Sequence, residues 1–108
     1  MKKFVFTYHG GLDSARQDPE QIKNILPAWM AWFDTIKESI VDGGNPFGPS
    51  MSVSANGTEP VAADALPARG YTIIQASSLE EATKVAEGCP ILAEGEDGAV
   101  QVHEAIQM

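Results

Sequence analysis

The sequence is poor in the residues on which metal and redox chemistry depend. It contains one cysteine and two histidines, and their spacing matches no metal-binding motif. A lone Cys89 cannot form an internal disulfide, so the fold does not depend on an oxidising compartment. We therefore expect no metal and no cofactor, and we interpret Cys89 as a small apolar residue at the end of a helix.

Basic residues and long apolar runs are also scarce. Seven Lys and Arg residues against fifteen Asp and Glu residues give a formal net charge of -8. A surface of this charge repels polyanions, which argues against nucleic acid and anionic membranes as partners. No apolar run approaches the roughly 20 residues that a bilayer-spanning helix needs, and no signal-peptide apolar region follows the first residues. These features predict a cytoplasmic protein.

Motifs that would name a reaction are missing as well. The chain has no Gly-rich phosphate loop and no nucleophile elbow, and the pair Gly10-Gly11 is too common a turn signal to indicate either. Function must therefore be sought from the fold and from individual side chains.

The most informative stretch present is residues 70–92, GYTIIQASSLEEATKVAEGCPIL. Tyr71 to Ala76 has the β-branched and aromatic character of a strand. Ser78 and Glu81 then form a capping-box pattern at the start of a helix. Gly88 and Pro90 end that helix, because glycine accepts the left-handed C-cap and proline cannot continue a helix.

The first half of the chain predicts a strand and a long helical region. In Lys3–His9 the aromatic residues alternate with smaller ones, which is typical of a strand with one aromatic face toward the core. Apolar residues then recur at helical spacing from Pro19 onward. Pro27 predicts a break into a short helix and a longer one that ends near Val41.

Two further strands complete the pattern. Ser50–Ala55 alternates strictly and predicts a half-exposed strand near a sheet edge, whereas the following residues to Gly70 predict a loop. Ala99–Ile106 predicts the last strand, with Ile106 facing inward. The order βαββαβ is that of an α+β, ferredoxin-like fold with strand order 4-1-3-2, in a single domain of residues 1–108.

This topology leaves one sheet face without helices and gathers polar residues at one end of the sheet. We expect the uncovered face to pair in a homodimer. At the end of strand 1, His9, Asp13 and Arg16 precede the first helix, whose amide groups favour an anion. His103 lies four residues along the neighbouring strand, roughly 13 Å from His9 at about 3.3 Å per residue, which predicts that the two histidines are not a catalytic pair.

Three segments together resemble the YCII-related (DGPF-domain-like) proteins. They are the KFVFTYHGG start, PAWMAWFDTIKESIVDGGNPFG, and GYTIIQASSLEEATKVAEGCPIL with the VQVHEAI strand that follows. The resemblance implies a ferredoxin-like protomer that dimerises through its open sheet face into an α+β barrel. It also implies a family of mostly unassigned function, with a proposed enzymatic subset that relies on a His–Asp pair in a cleft.

Carried over residue by residue, the resemblance weakens the case for an enzyme. The enzyme-like members have Pro-Ala-His-Leu where this chain has Pro27-Ala28-Trp29-Met30, so Trp29 occupies the position of the histidine. The partner aspartate falls near Gly10 and is either missing or displaced to Asp13. Because an indole does not exchange protons near neutral pH, the family's acid–base pair is not available in that form.

Our leading prediction is a small dimeric YCII-like protein that binds a small anionic or aromatic metabolite in a cleft lined by His9, Arg16 and Trp29. One alternative is a lyase, isomerase or hydrolase with His9 as general acid or base and Asp13 orienting it. Another is a structural or regulatory partner subunit without a ligand, in which Trp29 and Trp32 fill the cleft.

Overall fold

The protein, seen in a computed structural model, has an α+β fold in which helices cover one face of an antiparallel sheet. The structure describes residues 1–11, 19–62, 66–94 and 97–108, and for residues 19–24 it describes the backbone alone. In chain order the elements are β1 (Lys2–His9), α1 (Pro19–Ile36), β2 (Ile40–Asp42), β3 (Met51–Ser54), β4 (Gly57–Pro60), β5 (Ala68–Ala76), α2 (Leu79–Ala86), a 3-10 helix (Pro90–Ala93) and β6 (Ala99–Ala105).

The main sheet of the described residues has the strand order β2–β5–β1–β6, and all neighbouring strands are antiparallel. Counting these four strands along the chain gives 4-1-3-2, so the predicted ferredoxin-like order is confirmed. The central strand β1 pairs with β5 on one side and with β6 on the other. Its ends therefore fix where the termini of both neighbours lie.

The alternation within β1 decides which residues enter the core. Phe4, Phe6 and Tyr8 are buried, whereas Val5, Thr7 and His9 between them are only partly covered. Burying a large apolar side chain contributes about 1.5–3 kcal/mol, which is why the aromatic half of the strand faces the helices. The core cluster comprises Phe4, Phe6, Tyr8, Trp32, Ile74, Ala76, Ala82, Ala86, Cys89 and Ile91.

Helix α1 runs unbroken through Pro27 and ends at Ile36, so the predicted break at Pro27 and the predicted end near Val41 are both wrong. Pro27 lies on the exposed side of the helix, while Trp29, Trp32 and Phe33 pack against the core. That packing continues the helix despite the hydrogen bond that proline removes. Beyond Ile36 a turn leads directly into β2.

The edge strand of the main sheet is β2, and the prediction that Ser50–Ala55 supplies it is wrong. Ile40 pairs with Ile74 of β5 at this edge. Residues Met51–Ser54 do form a strand, but they pair with Gly57–Pro60 in a separate, fully exposed two-stranded hairpin. Alternation identifies a strand but not the strand with which it pairs.

The second half of the chain follows the sequence pattern more closely. The Ser78 side chain accepts a hydrogen bond from the Glu81 backbone N–H at 3.1 Å, as the capping-box pattern predicts. The Glu81 carboxylate reaches back to Ser77 instead of Ser78. The last strand ends at Ala105, and Ile106 is 70% exposed, so its predicted inward position is wrong.

Candidate functional site

A cavity of about 420 Å³ lies on the helix-covered side of the sheet, beside the end of β1. We call it the helix-side cavity. Its walls come from α1, the segment between β2 and β3, the first half of β5 and the 3-10 helix. The lining residues are Tyr8, Ile25, Leu26, Trp29, Phe33, Gly43, Gly44, Asn45, Pro46, Phe47, Arg69, Gly70, Tyr71, Thr72, Ile91 and Glu94.

Aromatic rings form much of the cavity wall, and Trp29 is at their centre. Its indole meets the Tyr8 ring edge-on at a centroid distance of 5.0 Å and lies 6.0 Å from the Phe33 ring. It also packs edge-on against Trp32, 5.9 Å away, which belongs to the core. Aromatic pairs at these distances hold one another in place, so the wall is preformed.

Two charged side chains border the cavity and each has a defined partner. The Trp29 indole N–H donates to the Glu94 carboxylate at 2.8 Å. The Arg69 guanidinium donates to the backbone carbonyl of Gly10 at 2.6 Å. The cavity is therefore apolar over most of its surface and has one carboxylate and one guanidinium at its border.

A short chain of hydrogen bonds anchors the floor of the cavity. The Tyr8 hydroxyl donates to the Thr72 hydroxyl at 2.6 Å, and Thr72 donates to the backbone carbonyl of Gly43 at 2.9 Å. Burial raises the pKa of Tyr8 well above its usual value, and the hydrogen bond from Thr72 offsets only part of that effect. Tyr8 is thus a neutral donor and not a phenolate at ordinary pH.

The thiol of Cys89 is buried in the core near the cavity. Burial raises the pKa of the Cys89 thiol to about 12. Because the thiolate is the reactive form, this thiol is inert at neutral pH. The interpretation of Cys89 as an apolar core residue agrees with this environment.

The predicted site residues lie in three different places. Trp29 lines the helix-side cavity. His9 lies on the opposite face of β1, where its Nδ1–H donates to the Leu66 carbonyl at 2.8 Å and its Nε2 is 2.8 Å from the Thr7 hydroxyl. Asp13 and Arg16 fall outside the described residues. Of the predicted set, the cavity thus includes Trp29.

The sheet face opposite the helices, which we call the open face, brings both histidines close to one side chain. His103 Nε2 lies 3.4 Å from the same Thr7 hydroxyl that contacts His9. The strand register agrees with the sequence, since His9 pairs with Ala99 and His103 pairs with Val5. The expectation that the two imidazoles are unconnected is nevertheless wrong, because both lean toward the strand position between them.

Sequence reasoning did not single out Arg69, Glu94 or the Tyr8–Thr72 pair as cavity residues. Arg69 had a detectable signal, because it precedes β5 at the same end of the sheet as His9. Glu94 had none, since it begins an acidic turn that is indistinguishable from solvated surface.

Fold and site together define a class: a ferredoxin-like α+β protein with a preformed aromatic cavity between its helices and its sheet. Among the described residues no helix combines the length and the apolar character that a membrane crossing requires.

Comparison with known proteins supports the fold. No family model and no curated protein matches the chain. A similar solved structure is that of 5-chloro-2-hydroxyhydroquinone dehydrochlorinase from Burkholderia phenoliruptrix AC1100, in complex with 2,5-dihydroxybenzoquinone. The two share 23% identity with a TM-score of 0.55, over 98% of this chain and 95% of that chain. At this identity the similarity establishes a shared fold.

Proposed function

We propose that this chain is a dimeric, YCII-like protein that binds a small hydroxylated aromatic compound in the helix-side cavity. The observation that carries the proposal is the cavity itself, with a volume of about 420 Å³ beside the end of β1. Small-molecule sites are typically clefts of about 300–1,000 Å³ with mostly apolar walls and a few polar groups.

The wall composition favours a planar aromatic ligand. Trp29, Phe33 and Phe47 present ring surfaces to the cavity, and Phe47 is itself stacked on Tyr71 at a centroid distance of 5.8 Å. An aromatic pair contributes about 0.5–1.5 kcal/mol beyond the burial of its area. A flat ring therefore gains more from these walls than an aliphatic compound of equal size.

The charges at the border favour a neutral hydroxyl over a simple anion. Glu94 is held at the cavity by Trp29, and its carboxylate repels an anionic group that approaches this side. A ligand hydroxyl can instead donate to the carboxylate oxygens, since each has more than one acceptor position. The dehydrochlorinase of similar fold was solved with a dihydroxylated quinone, which is a compound of this kind.

Calorimetric titration with hydroquinone and with benzoate tests the ligand class. We expect hydroquinone to bind more tightly, and we expect Glu94→Gln to weaken its binding about tenfold through loss of a charge-assisted hydrogen bond. Glu87→Gln is the matched control, because Glu87 is an exposed carboxylate outside the cavity lining. Equal affinities in the two variants, or tighter binding of benzoate, would contradict the proposal.

The homodimer is part of the same proposal. The described helices cover one face of the main sheet, and the open face carries Val5, Ile73 and Tyr71 only partly covered. A second copy placed on this face would bury these side chains, as the resemblance to YCII-related proteins implies. Light scattering on the purified chain should give twice the chain mass, and a mass of one chain at micromolar concentration would refute the dimer.

The two alternatives from the sequence have separate tests. If His9 is a general acid or base oriented by Asp13, His9→Ala abolishes turnover, whereas unchanged turnover and ligand-induced melting shifts would remove that role. For a ligand-free partner subunit, the tryptophans should fill the cleft. Trp32 is buried in the core and Trp29 lines the cavity, a distribution that supports a binding site.

A further inference from the structure

The open face carries a cluster of two imidazoles and one hydroxyl that the proposed ligand site does not use. His9 Nε2 and His103 Nε2 lie 2.8 Å and 3.4 Å from the Thr7 oxygen. Because both distances share that oxygen, the two nitrogens are at most about 6 Å apart. His9 and Thr7 belong to β1, while His103 reaches the cluster diagonally from β6.

The hydrogen bonds of His9 fix which of its nitrogens is available. The Leu66 carbonyl can only accept a hydrogen bond, so His9 Nδ1 must carry the proton in that 2.8 Å contact. In the neutral ring, Nε2 then has a free lone pair directed at the Thr7 hydroxyl. A histidine whose second nitrogen donates to a backbone carbonyl is oriented as metal-ligating histidines are.

We propose that His9 and His103 together bind a divalent transition-metal ion, such as Zn²⁺ or Ni²⁺, on the open face beside Thr7. Zinc–nitrogen bonds of about 2.0–2.1 Å require the two ligating nitrogens to lie about 3.3 Å apart. His103 is exposed and can rotate to close that gap, whereas His9 is held by Leu66. The site thus has one oriented ligand and one adjustable ligand.

The remaining donors decide the kind of ion. No group of three or more His, Cys, Asp or Glu side chains converges within the described ranges, so water completes the coordination beside the Thr7 oxygen. Two imidazoles favour Ni²⁺, Cu²⁺ and Zn²⁺ over Mg²⁺ and Ca²⁺, which prefer oxygen ligands. The buried Cys89 does not compete, and these are the two histidines of the sequence.

Titration of the full chain with Zn²⁺ and Ni²⁺, followed by calorimetry, tests the site. We expect one ion per chain, and at least a tenfold loss of affinity in His9→Gln and in His103→Gln. Glutamine keeps the hydrogen-bonding capacity of the side chain but is a poor ligand for these ions. Gln101→Ala, on the same face and strand as His103, should bind as the unmodified chain does.

The outcome is readable whether or not the chain dimerises. Both histidines lie outside the core, so the variants should keep the unfolding midpoint of the unmodified chain without metal. Light scattering on each variant shows whether a loss of binding comes from a lost ligand or from a changed oligomer. Unchanged affinity in either histidine variant, or Mg²⁺ binding as tight as Zn²⁺ binding, would overturn the proposal. None of these readouts depends on the aromatic ligand.

Discussion

The two faces of the main sheet are built from the same strands and have opposite chemistry. On β1, Phe4 and Phe6 are fully buried beneath the helices, whereas the neighbouring Val5 and Thr7 are only partly covered on the open face. The helix-covered face has aromatic rings and the cavity, and the open face has both histidines. A period of two residues therefore separates a site that excludes water from one that water reaches.

The difference between the faces also appears in their titratable groups. On the covered face, burial raises the pKa values of Tyr8 and Cys89, so that both stay protonated at ordinary pH. Among the described residues no buried side-chain polar atom lacks a hydrogen-bond partner. The covered face thus gains rigidity from satisfied neutral groups, while the open face keeps groups that can exchange protons or metal ions.

The largest difference between the faces should appear when neighbouring residues of β1 are truncated. Phe6→Ala removes a fully buried ring that stacks with Trp32, and we expect it to lower the free energy of unfolding by about 3–5 kcal/mol. Val5→Ala on the open face should cost less than about 1.5 kcal/mol. Urea denaturation measures both. Similar losses would mean that the open face is as deeply buried as the core, for instance by a tight dimer.

The covered face was largely predictable from sequence because it depends on burial. The aromatic alternation of residues 3–9 and the capped helix after Ser78 locate the core and the strand order. Pairing partners were less predictable: Met51–Ser54 alternates as well as any edge strand, yet it pairs within its own hairpin. Local pattern specifies the strand, while long-range packing specifies its neighbour.

The candidate sites were less predictable than the fold for a geometric reason. Glu94 meets Trp29 across 65 residues of sequence, and His103 meets Thr7 across 96. Such contacts depend on side-chain rotamers, which neither spacing nor composition encodes. Trp29 was identified through the family resemblance, because the position and not the residue type marked it.

A glycine pair at the cavity gives the next largest effect. Gly44 has φ of +75°, and a Cβ there would overlap the Tyr71 backbone carbonyl. Gly44→Ala should therefore cost about 2 kcal/mol or more, from the left-handed backbone and from the displaced strand. Gly43→Ala is the control, since nothing lies within 4 Å of its added Cβ. Thermal unfolding compares them, and equal midpoints would show that β5 moves freely away from this segment.

A smaller contrast should separate the two threonines that serve the two faces. Thr72→Val removes a buried hydroxyl and leaves the Tyr8 O–H and the Gly43 carbonyl without partners, at a cost of about 1–3 kcal/mol. Thr7→Val on the open face should change stability by no more than about 0.5 kcal/mol, because water can replace the lost partner. If Thr7→Val were the costlier change, the open face would be dry and covered by a partner.

The smallest effect is a loss of stability at alkaline pH that comes from the covered face. The pKa of Cys89 is raised in the folded state, so its contribution is complete below the unfolded-state pKa near 9 and declines as pH rises toward about 12. Between pH 9 and pH 10 we expect about 1 kcal/mol of unfolding free energy to be lost through this thiol. In Cys89→Ala this part of the decline should disappear, and the decline due to Tyr8 should persist at higher pH. An unchanged slope in Cys89→Ala would mean that water reaches the thiol, and the covered face would then differ less from the open face than its burial indicates.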